Sequence, residues 1–231
     1  MSKKDNKHVC RFCNKKFVRE TAFFSHACEK RKRWNAQDTR PAKIGFMAWL
    51  DFMKSISAVN RNAEHTYEDF IHSRLYTAFV KFGDHMTQLN AVEPQGFINF
   101  LIKNNIKVKD WVKDYPYETY IRNKIAKETP NEAIERSLFL AEEWALDNDS
   151  SMEKFFEEID TARALYWITT GKISPWFIMA SSKASRLLSR FTPEQAQMMN
   201  KYIDTALWKI KVSKYRKDFD NIKSVLRENN L

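Results

Sequence analysis

The sequence predicts a mainly α-helical protein: a small cysteine-bearing unit at residues 1–34, a linker at 35–43 and an all-α multi-helix domain over 44–231. Three observations predict it. The chain of 231 residues holds only 4 Gly but 17 Phe, 8 Tyr and 7 Trp, so few turns need positive φ and there is material for a large core. Apolar residues after residue 43 recur at helical spacing nearly throughout. Alternation with period two is confined to residues 8–18.

Taken in order, residues 1–7 read as a frayed basic tail, and residues 8–34 hold all three cysteines of the chain. "NAQDTRPAK" (35–43) is polar and contains Pro41, the mark of a linker or helix break. "AKIGFMAWLDFMKSI" sets Ile44, Met47, Trp49, Leu50, Met53 and Ile56 on one broad apolar face, with Gly45 allowing a second backbone to come close. In the next run Thr66 is the expected N-cap, with Asp69 three residues on and Phe70, Leu75, Phe79 and Phe82 as the buried stripe. A short helix starts after Pro94, and Pro116 should separate two more. Thr129 with Pro130, Ser150 or Ser151, and Thr192 with its following proline mark three further starts. Gly171 marks a stop. The count is roughly eight helices in the domain, with no fixed-period repeat and no low-complexity tract.

Charge is uneven. The net +10 of the chain divides into +9 for residues 1–43, +2 for 44–127, −9 for 128–160 and +8 for 161–231. A solvated surface accounts for most charge runs, but a clustered positive field attracts polyanions. Three cysteines cannot all pair within one chain, and no apolar signal segment follows "MSKKDNK", so a disulfide framework is not expected. The most apolar stretch is broken by Gly171, Lys172 and Pro175, too interrupted for a membrane span. The expectation is a soluble, intracellular protein with no membrane partner.

Cys10 and Cys13 form C-x2-C, a spacing that lets a tight turn aim two thiolates at one ion. Twelve residues separate Cys13 from His26, and Phe17 and Phe23 lie between them. This resembles the C2H2 zinc-finger family, C-x2-C-x3-F-x5-L-x2-H, with Phe23 at the Leu position. The resemblance implies a small ββα zinc finger: a hairpin carrying the cysteines, a helix carrying the histidine, two apolar residues as a miniature core, and Zn2+ supplying the folding energy.

The fourth ligand departs from the family pattern, whose window ends here in Lys30, Arg31 and Lys32. Cys28 lies two residues after His26, and on a continuous helix i and i+2 point nearly opposite ways. Cys28 therefore ligates only if the helix ends at His26. The expected set is Cys10, Cys13, His26 and Cys28; the runner-up keeps three of these with His8 or a water. Cysteines as ordinary small hydrophobes, or as a redox dithiol, are the competing readings. The second lacks a thioredoxin-like βαβ context.

In DNA-binding fingers, helix positions −1, 3 and 6 meet base edges. The resemblance places these at Arg19, Ala22 and Ser25, of which Arg19 could read guanine. Phosphate contacts should supply most of the affinity, with Lys15, Lys16, Arg19, Lys30, Arg31, Lys32 and Arg33 as candidates. Trp34 either stacks on an exposed base or packs under the finger or against the helical domain. Nucleic acid, DNA ahead of RNA, is the expected partner.

The helical domain carries no P-loop, nucleophile elbow or H-E-x-x-H, and no catalytic residue is assigned. His65 and His72, seven apart, would share a helix face. Glu132/Glu135, Glu142/Glu143 and Glu157/Glu158 could hold Mg2+ in a nuclease, but a solvated face accounts for them more simply. Arg186, Arg190, Lys201, Lys209, Lys211, Lys214, Arg216 and Lys217 form a candidate second phosphate surface, with Tyr215 interleaved. A finger ending "HACEKRKRW" before a Gly-poor helical body is similar to DNA-metabolism accessory proteins of tailed bacteriophages. The expected function is a non-enzymatic nucleic-acid-binding accessory protein of replication, recombination or transcription, whose helical domain recruits a protein partner. The alternatives are a metal-dependent nuclease and a protein-interaction or virion-assembly module.

Overall fold

The computed structural model describes residues 8–56, 64–91 and 93–231; the tail expected at 1–7 lies outside them. The described residues form one two-stranded antiparallel sheet and fifteen α-helices, and the chain divides into two compact units, Met1–Lys113 and Asp114–Leu231. The mainly α architecture with a small ββα start is as expected, but the units do not divide at residues 35–43. The finger and the helices after it make one unit, and the helical region 44–231 belongs to two.

In the first unit β1 (His8–Val9) and β2 (Lys16–Phe17) pair with His8 opposite Phe17. Then come α1 (Glu20–Ser25), α2 (Glu29–Asn35), α3 (Arg40–Ile56), α4 (Tyr67–His72), α5 (Tyr76–Gln88) and α6 (Pro94–Lys103). Helices α3 and α5 pack closely because two glycines let them. A Cβ on Gly45 would lie 2.7 Å from the Phe79 carbonyl oxygen, and one on Gly83 would lie 1.9 Å from that of Pro41. Phe70, Phe79, Phe82 and Trp111 fill the core beside them. Leu75 is only half-buried, as the residue before α5, and Tyr76 is buried in its place. Ile56, at the end of α3, is exposed.

The second unit holds α7 (Asp114–Lys127), α8 (Pro130–Asp147), α9 (Phe155–Glu158), α10 (Thr161–Thr169), α11 (Pro175–Ala180), α12 (Ala184–Leu188), α13 (Pro193–Asn200), α14 (Thr205–Lys214) and α15 (Arg216–Glu228). Phe155, Phe156, Trp167, Trp176 and Phe177 are buried together with Trp208, whereas Tyr166 is partly exposed. The expected caps form: Thr66 and Asp69, Thr129 and Glu132, and Thr192 and Gln195 make capping boxes. Gly171 ends α10 with φ +75°, and Lys172 donates back to the Trp167 carbonyl.

Helices are more numerous than expected because long apolar runs are cut by local caps. The run around Thr66 breaks at Ser73, which is extended at ψ 140°. The run from Ser150 breaks before Asp160, whose carboxylate caps α10 by accepting from the Arg163 N–H. Both prolines expected as breaks lie instead in first turns, Pro41 in α3 and Pro116 in α7, where no N–H is needed. The expected linker is thus only the turn before Arg40.

Candidate metal centre

The hairpin turn between β1 and β2 is drawn tight by two backbone bonds. The Cys10 N–H donates to the Lys15 carbonyl (3.0 Å), and the Asn14 N–H donates to the Cys10 carbonyl (2.8 Å). Asn14 takes the left-handed conformation, φ 58°, which asparagine tolerates better than most residues. The turn faces Cys10 and Cys13 inward together. Behind them Phe17 packs edge-on against Phe23 (5.9 Å) and lies 4.6 Å from the His26 ring, while His8 stacks on Phe23 (5.6 Å).

Helix α1 stops at Ser25, and His26 is extended at ψ 128°. The chain then turns, and Cys28 becomes the N-cap of α2, where its Sγ accepts from the Arg31 N–H at 3.4 Å. This break is what Cys28 needs in order to face the other ligands. Cys10 Sγ and Cys28 Sγ are 3.7 Å apart, Cys13 Sγ and His26 Nε2 are 3.8 Å apart, and the four ligand atoms all lie within 4.8 Å of one another. A tetrahedron with bonds of about 2.3 Å to sulfur has S···S edges of about 3.8 Å, so the spacing fits one ion. His8 is not in the set; its ring stacks on Phe23. Among the described residues this is the one group of three or more Cys, His, Asp or Glu side chains close enough to share a metal ion.

Support around the ligands matches that use. His26 Nδ1–H donates to the Phe23 carbonyl at 2.7 Å, which fixes the tautomer and leaves Nε2 free to ligate. Cys10 and Cys28 are 4% and 3% exposed. Burial pushes the Cys10 thiol up, but the N–H groups of Cys13 and Phe12 and the neighbouring thiols outweigh it and bring it down to about 6. Cys28 moves upward: burial raises it, the Arg31 N–H offsets part, and the Cys10 thiolate adds to the rise. Cys10 is thus the readier thiolate of the two, and a bound cation would favour the thiolate form of both.

The expected nucleic-acid residues separate into two groups. Lys15, Lys16, Arg19, Ser25 and Lys32 are exposed, as is Ala22. Arg19 immediately precedes α1, as position −1 requires. Lys30, Arg33 and Trp34 are engaged with the rest of the first unit. Arg33 donates to the Ile71 carbonyl at 3.0 Å, lies 4.5 Å over the Tyr76 ring and pairs with Glu29 at 3.6 Å. Lys30 donates to His72 Nδ1 at 2.7 Å. Arg31 is half-buried, and its N–H donates to the Sγ of Cys28, the cap of α2. Trp34 packs between Phe12 and Tyr67, each 6.1 Å away. The Tyr67 hydroxyl donates to the Arg33 carbonyl at 3.0 Å.

His65 precedes α4 and rests against Trp49, so it shares no helix face with His72. In the second unit Glu132 completes a helix cap, Glu157 pairs with Arg186, and Glu158 accepts from Ser150 and Lys154. Arg190 donates to the Ile159 carbonyl at 2.6 Å.

Lys211 is buried, which sequence reasoning missed. Its Nζ donates to the carbonyls of Ile125 (2.9 Å), Ala126 (3.1 Å) and Glu128 (3.4 Å), and lies 4.5 Å from the Trp208 ring. Burial lowers its pKa, while the Glu128 carboxylate opposes that shift. Glu128, also buried, pairs with Arg136 and accepts from the Ser174 hydroxyl at 2.8 Å.

No family model, curated protein or solved structure matches this chain. The centre therefore stands on its own geometry: three thiols and an imidazole that could hold a metal ion close to the N-terminus. No helix among the described residues is long and apolar enough to cross a membrane.

Proposed function

We propose that the chain is a zinc-containing, non-enzymatic accessory protein that binds nucleic acid inside the cell, with DNA the expected kind. The carrying observation is the convergence of Cys10, Cys13, His26 and Cys28, whose ligand atoms all lie within 4.8 Å of one another. Three sulfurs and one nitrogen with no open position suit a structural Zn2+. Bound there, the ion would tie the hairpin to the start of α2. It would thereby fix the exposed cations Lys15, Lys16, Arg19 and Lys32 on one small scaffold. These cations track phosphates, and Arg19 with Ser25 faces base edges.

The helical region recruits a protein partner in replication, recombination or transcription, as the likeness to tailed-bacteriophage accessory proteins suggests. In an infected cell the site of action is then the host cytoplasm. The test pairs metal analysis of the purified chain with salt-titrated binding to single-stranded, duplex and forked DNA and to RNA. The expected result is one zinc per chain and an affinity that falls with salt. It should also fall when Lys15, Lys16 and Arg19 are changed to Ala. Protein without stoichiometric zinc, or binding indifferent to those three changes, would remove the reading.

A further inference from the structure

Helix α8 buries Ala133, Ser137, Ala141 and Trp144, and through that side it packs against α11 and α15. Its opposite face carries Glu135, Phe139, Glu142 and Leu146, one continuous stripe at spacings of four, three and four. Phe139 is 61% and Leu146 is 76% exposed. A solvated helix face is normally polar all along. This one is an acidic face with two large apolar side chains set into it, and Glu143 widens the acidic flank.

The same unit also has a counterpart. Helices α11, α14 and α15 enclose a groove of about 510 Å³, with Met179, Val212 and Phe219 among its apolar lining and Lys209, Arg216 and Lys223 as its basic members. Asp220 is its one acidic member, 4.0 Å from Lys223. A smaller hollow shares Met179 and Lys223 and adds Arg227, so the basic, apolar character continues along α15. Helix α14 is mixed beside it: Trp208 and Lys211 are buried, while Leu207 and Ile210 are exposed.

We infer that this groove receives helix α8 of a second copy of the chain. Phe139 and Leu146 fill its apolar lining, and Glu135, Glu142 and Glu143 meet Lys209, Arg216 and Lys223. The mode is an amphipathic helix in a groove, read by anchors on one helical stripe. The groove's own α8 cannot occupy it, because that helix is held by its buried side and its stripe faces away. A nucleic-acid strand fits less well: the groove's one aromatic ring, Phe219, is 6% exposed and offers no stacking platform. Stripe and groove are different surfaces, so every copy carries one helix to give and one groove to receive.

The test is sedimentation equilibrium of the full chain over a range of concentrations at low and high salt. Two charge-reversed variants accompany it, Glu142→Lys with Glu143→Lys and Lys209→Glu with Arg216→Glu. All four residues are exposed, and circular dichroism checks that the helices persist. The expected result is self-association that weakens with salt. Each double variant should lower it by at least about tenfold, and mixing the two variants should restore it. A chain that stays monomeric throughout, or association indifferent to both variants, would overturn the inference. So would a labelled oligonucleotide whose binding, alone, is lost with Lys209→Glu and Arg216→Glu. Zinc content and finger-dependent DNA binding are read separately and are unaffected by either result.

Discussion

His26 donates from Nδ1 to the carbonyl of Phe23 at 2.7 Å, and that bond turns Nε2 toward the thiol of Cys13. One hydrogen bond at the end of a six-residue helix thus decides which nitrogen can meet a metal. It also places the ring where α1 ends, so that Cys28 can come round to the same point.

Cys28→Ala is expected to reduce zinc affinity by more than about 100-fold, since even changes to groups supporting the ligands cost about 10–100-fold. His8→Ala should leave the stoichiometry at one, because His8 is not among the four converging residues. Competition with a chromophoric chelator measures both. Cobalt substitution should give the strong visible bands of a tetrahedral thiolate site in the wild type and weakened bands in Cys28→Ala.

Metal affinity should fall steeply as pH drops through about 6. Below that value the Cys10 thiolate, favoured in the fold down to about 6, takes up a proton that the metal must displace. Above it the affinity should keep rising, because the raised Cys28 thiol still surrenders a proton on binding. Calorimetry in buffers of different ionisation enthalpy would count the protons released. A flat profile between pH 5 and 8 would contradict the arrangement.

The basic run 30–33 should divide under mutation. Arg33→Ala loses the bond to the Ile71 carbonyl and the stacking on Tyr76, and is expected to cost about 1.5–3 kcal/mol in denaturant unfolding. Lys32→Ala, at an exposed side chain, should leave stability within about 0.5 kcal/mol. It should reduce the slope of log affinity against log salt by about 1. Both effects in the same variant would mean that the two residues are not separated as the structure has them.

Gly83→Ala should be among the most damaging small substitutions in the first unit, because the added carbon meets the backbone oxygen of Pro41 at 1.9 Å. Backbone cannot swing aside as a side chain does, so the cost should reach the upper end of about 1–3 kcal/mol for overpacking or exceed it. Thermal unfolding compared with Ala48→Gly, a cavity-forming change in the same packing, would separate steric clash from general sensitivity.

Lys211→Met should destabilise the second unit by about 2–4 kcal/mol. It leaves the carbonyls of Ile125, Ala126 and Glu128 without their buried donor. Lys214→Met, at an exposed position on the same helix, should change little. Hydrogen exchange at the end of α7 would localise the loss.

The sequence made the ligand set and most helix starts legible, because both follow from short-range rules. Thr66, Thr129 and Thr192 cap their helices by bonds three residues long, and Cys10, Cys13 and His26 lie at spacings that one turn and one helix enforce. Cys28 was legible only conditionally, since its use depends on α1 stopping after six residues. The two prolines were misplaced because a ring that breaks a helix interior also suits a first turn, and only the flanking caps distinguish the cases. Lys211 could not be separated from its neighbours in "KIKVSKYRK". Its burial depends on carbonyls more than eighty residues away in sequence, and no local pattern records that. The engagement of Arg33 with α4 and α5 was hidden for the same reason, whereas packing of Trp34 against the helical domain was one of the readings that its sequence left open.

Trp34 has one neighbour, Phe12, inside the cysteine turn and another, Tyr67, at the start of α4. The difference in indole emission between the wild type and Trp34→Phe, one of the chain's 7 Trp, is therefore a native readout of metal loading that needs no attached dye. Through the same contact an ion held by the four ligands would be a thermodynamic partner of helices that never touch it. Removing that ion should lower the melting temperature of the first unit as a whole, and the folded helices should in turn tighten the grip on the metal.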